Sequence, residues 1–183
     1  MAEYDRYYQE EHYFGKPYAG LLDFFRAAKR GSVADLGAGQ GRDSLALAAM
    51  GYTVTAVDVS SVGLAQISAA NPGIQTVTGD LHSFAVSGFD YVLLDSMLHF
   101  YKRDIETETA LVRSLLAQMK PGAVFVNCLL RNKAAEKRLR GILGEFPADI
   151  MLDTYTDYPE FNATYHLLAA RKREADDASA SAI

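Results

Sequence analysis

The run Asp35-Leu36-Gly37-Ala38-Gly39-Gln40-Gly41 sets three glycines at alternate positions behind a carboxylate. It directly follows the apolar stretch Val33 to Leu36 and directly precedes a helical pattern. Glycine admits the backbone angles of a tight turn, and its missing Cβ lets a ligand press against the main chain. Asp35 is placed to accept hydrogen bonds from loop amides, or through water from a ligand ammonium group. Arg42 and Asp43 open the next helix, where Asp43 complements the helix dipole. Two more carboxylates, Asp58 and Asp80, close the next two strand-like runs. A carboxylate at the first of these can hold both hydroxyls of a ribose, and one at the second can accept from an adenine amino group. Gly79-Asp80 is also an ordinary turn pair. Three acidic residues at successive strand ends do not read as core packing, because a buried carboxylate without partners is costly.

The glycine spacing separates two ligand classes. A dinucleotide site wants G-x-G-x-x-G, whose third glycine lets helix and strand approach closely. Here Arg42 occupies that sixth position and the glycine falls one place early, at Gly41. The neighbouring carboxylates would also repel a pyrophosphate. A cationic, phosphate-free nucleoside suits this loop better.

Acceptor-side chemistry is expected after the fourth strand, in Asp95-Ser96-Met97-Leu98-His99-Phe100-Tyr101. His99 is the candidate general base, having a near-neutral pKa as a residue type; the alternative is a histidine that simply packs in its loop. His166, inside the last strand, and Cys128, inside an apolar strand, read as structural. Aromatic residues gather where a lid belongs: Tyr4, Tyr7, Tyr8, Tyr13, Phe14 and Tyr18 at the start, and Tyr155, Tyr158 and Phe161 near the end. Such rings exclude water and attract cations. Tyr13 joins His99 as a catalytic candidate, and Phe14, Tyr18, Phe100, Tyr101 and Tyr158 are assigned to the substrate. For Tyr18, Phe24 and Phe25 the helical spacing equally fits plain core.

These residues need a scaffold of strand ends. Residues 4–30 read as helical cover, broken at Gly15-Lys16-Pro17 and ending in a basic last turn at Lys29-Arg30 before Gly31. Helical patterns over 42–50, 61–70, 104–120 and 133–146 alternate with strand-like runs at 33–36, 52–57, 74–78, 89–94 and 123–130. Ser60 and Ser61 are placed to cap the second of these helices. Residues 150–156 and 164–170 have no helix between them and should pair as a hairpin. The expectation is an α/β, Rossmann-like, doubly wound sheet of seven strands. It is mostly parallel, with a C-terminal antiparallel hairpin strand and helices on both faces. One domain over 31–173 carries an N-terminal lid over 1–30, and 174–183 reads as a disordered tail.

Composition narrows the class further. The chain has 183 residues, 49% of them apolar, and a net charge of −5, an ordinary globular composition. An acidic chain gains little from nucleic acid or anionic lipid. One cysteine excludes an internal disulfide and a Cys-rich metal site, no metal is assigned, and a reducing cytoplasm fits. No apolar stretch approaches the roughly 20 residues that cross a bilayer.

Val33 to Gly41 followed by Val54 to Ser60 resembles the first two motifs of class I S-adenosylmethionine-dependent methyltransferases. Phe89-Asp90-Tyr91-Val92-Leu93-Leu94 resembles their fourth strand, and Lys120-Pro121-Gly122-Ala123 the turn into their fifth. Tyr13-Phe14-Gly15-Lys16-Pro17-Tyr18 is similar to the N-terminal lid of small stand-alone members of the tellurite-resistance and thiopurine types. The resemblance implies S-adenosylmethionine as donor and S-adenosylhomocysteine as product. It implies that Asp35, Gly37 and Gly39, with Ala38, Gly41, Arg42 and Asp43 around them, meet the methionine part. Asp58 with Val59 would hold the ribose, Asp80 with Leu81 the adenine, and Asp95 or Ser96 the donor near the reaction centre. The Asn/Asp-Pro-Pro-aromatic motif of enzymes that methylate adenine or glutamine amides is missing after the fourth strand. A small-molecule acceptor is therefore expected. An RNA methyltransferase, suggested by the basic stretch Arg131 to Arg140, and a non-catalytic binding module are the alternatives.

Overall fold

In the computed structural model, which describes residues 3–10 and 12–174, the short apolar runs form seven strands. These are β1 (Ser32–Leu36), β2 (Thr53–Asp58), β3 (Gln75–Thr78), β4 (Tyr91–Asp95), β5 (Val124–Leu130), β6 (Ala148–Tyr158) and β7 (Ala163–Lys172). The amphipathic stretches form α1 (Ala19–Ala27), α2 (Arg42–Ala49), α3 (Ser61–Ala70), α4 (Ile105–Gln118) and α5 (Lys133–Leu143). A 3-10 helix over Glu3–Gln9 precedes them. Most of the expected tail, 175–183, lies outside the described residues.

The strands make one sheet in the order β3-β2-β1-β4-β5-β7-β6. All neighbours are parallel except β5–β7 and β7–β6, so the expected hairpin contributes a single antiparallel strand, β7, slotted between β5 and β6. Successive residues face opposite sides of a strand. Ala34, Leu36, Val92, Leu94 and Phe125 therefore pack under α4 and α5, while Val33, Leu93 and Val126 pack under α1, α2 and α3. Strand order reverses between β1 and β4, which opens a crevice at the carboxyl ends of those two strands. The glycine turn and Asp95 both sit there.

Several helix ends differ from the sequence reading; α2 stops at Ala49 rather than at 50, and α4 spans Ile105–Gln118 rather than 104–120. α5 stops at Leu143 rather than Phe146, and α1 stops at Ala27, before its expected basic last turn. Arg30 instead folds back, donating to the carbonyls of Phe25 and Ala28, each at 2.9 Å, and of Met50 at 2.6 Å. It also lies over the Tyr52 ring at 5.0 Å. One side chain thus satisfies carbonyls that a helix end leaves open and fastens α1 beside β2. Ser60 caps α3 as expected, accepting from the Gly63 amide at 3.2 Å.

α1 is packed as part of the core. Phe25 is fully buried and meets the rings of Tyr52 and Tyr91 edge-on at 5.2 and 5.4 Å. Phe25→Ala is predicted to cost about 3–5 kcal/mol, the range for emptying a buried aromatic site. Urea unfolding followed by circular dichroism measures it; a loss below about 1 kcal/mol would make α1 a detachable flap instead.

Candidate active site

The turn after β1 depends on its glycines. Gly37, Gly39 and Gly41 have φ of 84°, 54° and 82°, which side chains rarely adopt. The Gly37 and Ala38 amides donate to the Val57 carbonyl at 2.8 and 3.1 Å, pinning the turn to β2. A Cβ at Gly37 would overlap Met97, and one at Gly63 in α3 would overlap the Gly39 carbonyl. Three elements therefore close on bare backbone. Gly63 was not singled out in the sequence, although a glycine inside a helix is itself a signal of close approach.

Asp58 is the residue that holds the loop amides. Its two oxygens accept from Gly39 N and Ser60 N, both at 2.8 Å. Asp35, to which the sequence reading gave those amides, lies below the turn and accepts from the Ser44 hydroxyl at 2.5 Å. A carboxylate has about four acceptor positions, so Asp58, half-buried and using two, keeps capacity for a pair of hydroxyls.

Asp35, Asp43 and Asp95 are all buried around one guanidinium, that of Arg42. Arg42 pairs with Asp95 and with Asp43, the latter at 3.4 Å. The rings of Tyr18 and Tyr158 flank it at 4.7 and 5.5 Å, and it donates to the Tyr158 hydroxyl and the Phe14 carbonyl, each at 3.3 Å. Its Nε is buried with no hydrogen-bond partner among the described residues. Burial, with Asp43 adding to it, pushes the Asp35 carboxyl up to about 7. Burial and then Asp43 also raise Asp95 well above the usual carboxylate range, against the pull of Arg42. Burial opposes the charge on Arg42, but Asp43 and Asp95 outweigh it and hold the guanidinium charged. Three carboxylates against one cation leave surplus negative charge in a poorly solvated place, which takes up protons or a bound cation.

The N-terminal segment lies across the glycine turn. The Gln40 side chain accepts from the Tyr13 amide at 3.1 Å and donates to the Glu10 carbonyl at 2.8 Å. Gln66 donates to the Tyr8 carbonyl at 2.7 Å, and Ser60 donates to Asp5 at 2.5 Å. Tyr8 is buried, with its hydroxyl 2.9 Å from where a Gly39 Cβ would stand. Tyr7, Tyr13 and Phe14 form a ring cluster beside it. Tyr8 was read only as one of the lid rings, and Gln40 and Gln66 were not read as site residues; the place of Gln40 inside the glycine motif hinted at its role.

The other sequence candidates spread outwards from this centre. Ser96, at φ 58°, donates to Asp95 at 3.0 Å and shares a hydrogen bond with the Tyr18 hydroxyl at 3.1 Å. Asp80 is exposed and accepts from the His82 amide at 2.9 Å, a turn contact, while Leu81 packs half-buried and Val59 is exposed. His99 stacks on Tyr101 with centroids 5.2 Å apart, its Nδ1 4.0 Å from Glu108. Phe100 is withdrawn into the core. The structure thus gathers Asp35, Gly37, Ala38, Gly39, Gly41, Arg42, Asp43, Asp58, Asp95, Ser96, Tyr18 and Tyr158. It leaves Asp80 and Val59 at the rim and the His99–Tyr101 pair past the tip of β4.

Residues 33–122 match the family described as a methyltransferase domain. Cypemycin N-terminal methyltransferase from a Streptomyces species is 34% identical over 119 residues, 61% of this chain and 49% of that protein. The chain therefore spans about half the length of this curated relative. Magnesium protoporphyrin IX methyltransferase from Synechocystis PCC 6803, solved with bound SAM, superposes with a TM-score of 0.70 at 21% identity, over 84% of this chain and 76% of that one. The N-methyltransferase NodS from Bradyrhizobium japonicum WM9, in complex with S-adenosyl-L-homocysteine, does so with a TM-score of 0.77 at 14% identity, over 93% and 96%. These two likenesses establish the fold. Among the described residues no helix is long and apolar enough to cross a membrane.

The buried acids give a pH signature. The folded-state pKa of Asp35 lies above its ordinary 3.8. Below about pH 4 the group is protonated in both states and burial adds no charge penalty; the penalty grows as pH rises and is complete above about pH 7. Asp35→Asn keeps the Ser44 contact without the charge. It is predicted to gain stability relative to the parent between about pH 5 and about pH 8, read as diverging urea midpoints; parallel midpoints would show that Asp35 is not held protonated by the fold.

Proposed function

We propose that this chain, a member of the class I S-adenosylmethionine-dependent methyltransferase superfamily, transfers a methyl group from S-adenosylmethionine to a small-molecule acceptor and releases S-adenosylhomocysteine. The observation that carries the reading is the acid-rich cluster around Arg42 beside bare glycine backbone. The donor is a phosphate-free nucleoside with a sulfonium and an amino-acid end, and the residues present fit it piece by piece. Surplus carboxylate among Asp35, Asp43 and Asp95 suits its positive groups, and the unpartnered Arg42 Nε suits its carboxylate. Gly37, Gly39 and Gly41, packed against Met97, Tyr8 and Ile67, hold with Ala38 the turn assigned to the methionine part. Asp58, with Val59 beside it, has the free acceptor capacity for the ribose hydroxyls. Asp80 and Leu81 are assigned to the adenine at the outer edge, and Asp95 and Ser96 to the side nearest the transferred group.

When bound, S-adenosylmethionine supplies an electrophilic methyl on a sulfonium leaving group. What the chain contributes is alignment, which can supply roughly 7–11 kcal/mol, and exclusion of water. Tyr13 and Phe14, stitched over the turn through Gln40, serve the second task. Arg42 is held between Tyr18 and Tyr158, which keeps the floor rigid. For an acceptor that arrives protonated, His99 is assigned as base through Nε2, because Nδ1 faces Glu108. Phe100 supports this loop from the core, and Tyr101 stands beside the acceptor. The single buried thiol of Cys128 suits a reducing cytoplasm.

Isothermal titration of the full chain with S-adenosylhomocysteine tests the donor site. Binding is expected, with no comparable binding of NAD. Asp58→Asn should weaken it roughly tenfold to a hundredfold, the loss of charge-assisted hydrogen bonds. Unchanged affinity in that variant, or a preference for NAD, would remove the basis of the proposal.

A further inference from the structure

We infer that the acceptor is a small planar acid whose anionic group is held by Arg131 beside the His99–Tyr101 pair, an assignment that rests on the methyltransferase reading above. A cavity of about 70 Å³ lies between the loops that follow β4 and β5, lined by Leu98, His99, Tyr101, Leu130, Arg131 and Asn132. Asp95, the last residue of β4, is the register partner of Cys128, near the end of β5. The cavity therefore opens a few residues beyond Asp95, on the side of the crevice away from the glycine turn.

Its walls suit a flat ring. His99 and Tyr101 stack within 20° of parallel. Tyr101 is 52% exposed and Leu130 47% exposed, unusual for large apolar side chains flanking one small cavity. Aromatic faces of this kind gain by stacking on another planar group.

Arg131 supplies the charge. Its guanidinium lies over the Tyr155 ring at 4.7 Å, and among the described residues it forms no ion pair, whereas Arg113 and Arg140 on the neighbouring helices fork Glu145 and Asp153. The surface under Arg131 is built rather than incidental. Glu136, only 2% exposed, spends one oxygen on the Tyr155 hydroxyl at 2.9 Å and the other on the Asn132 amide at 3.1 Å. A buried carboxylate is costly unless its hydrogen bonds are made, and these two fix the platform of Arg131 and the backbone next to it. Arg131 also lines the cavity, and a guanidinium with no ion pair of its own can offer a carboxylate two donors. Exposed Lys102 stands on the loop after β4 and exposed Lys133 opens α5 beside Asn132, adding positive charge at this rim in a chain whose net charge is −5. An acid is thereby drawn to the rim and away from the acidic donor site.

The test compares 4-hydroxybenzoate with 4-hydroxybenzamide by saturation-transfer NMR on the full chain with S-adenosylhomocysteine present. The acid is expected to bind roughly tenfold more tightly than the amide. Arg131→Gln should abolish that preference while its affinity for S-adenosylhomocysteine, measured by calorimetry, stays unchanged. Equal binding of acid and amide, or a preference that survives in Arg131→Gln, overturns the inference, as does displacement of the acid by an RNA oligonucleotide in a salt-sensitive manner. A chain that binds S-adenosylhomocysteine but ignores the acid overturns this inference alone. A chain that binds no S-adenosylhomocysteine overturns the methyltransferase reading beneath it.

Discussion

Among the described residues Arg42 is the one positive charge set among the carboxylates of Asp35, Asp43 and Asp95, and four parts of the fold meet on it. Asp43 comes from its own helix, Asp95 from the end of β4, Tyr18 from the start of α1 and Tyr158 from the end of β6. Taking one partner from a buried ion pair typically costs 3–5 kcal/mol, because the other charge stays behind. The cluster is thus a structural joint and a field source at once. Its charges do not balance: Asp35 and Asp95 are both pushed towards their protonated forms. In the proposed reading, a bound cation relieves that imbalance.

The sheet order explains how such a joint can exist. β1 and β4 lie side by side with their connections leaving to opposite faces, so the turn after β1 and the loop after β4 part and leave a crevice between them. Met97 then packs against Gly37, and α3 approaches the same turn from the other side through Gly63. The antiparallel β7 matters for a different reason. Because it runs back alongside β5, the β6–β7 hairpin returns Tyr158 and Tyr165 to the crevice, where both rings pack against Tyr18. A parallel last strand would start at the opposite end of the sheet and take Tyr165 with it.

Much of this was legible because it is local. The strand–glycine–helix context of Gly37 to Gly41, the carboxylate closing β2 and the hairpin without a helix between its strands are all written in short stretches of sequence. The division of labour between Asp35 and Asp58 was not. Which of them meets the loop amides depends on how deeply the turn sits over β1, and that is set by packing against β2. Gln66 and Gly63 were missed, and Tyr8 was read as a lid ring without its seat against Gly39, because their contacts join residues distant in the chain. Tyr18 shows the opposite limit: its helical spacing suggested core, its type suggested a site, and it serves both, buried yet with its hydroxyl on Ser96. Glu136 reads as a solvated charge on a basic helix, whereas it is among the most buried polar residues of the chain.

If the Arg42 cluster exists to receive an amino-acid end and a positive sulfur, most of the donor affinity resides outside the nucleoside. Calorimetry of the full chain with S-adenosylhomocysteine and with 5′-methylthioadenosine, which has the same nucleoside but no amino acid, measures that share directly. The account predicts that S-adenosylhomocysteine binds at least about a hundredfold more tightly, the scale of two charge-assisted contacts, and that Arg42→Met removes most of the difference. Equal affinity for the two compounds would contradict it.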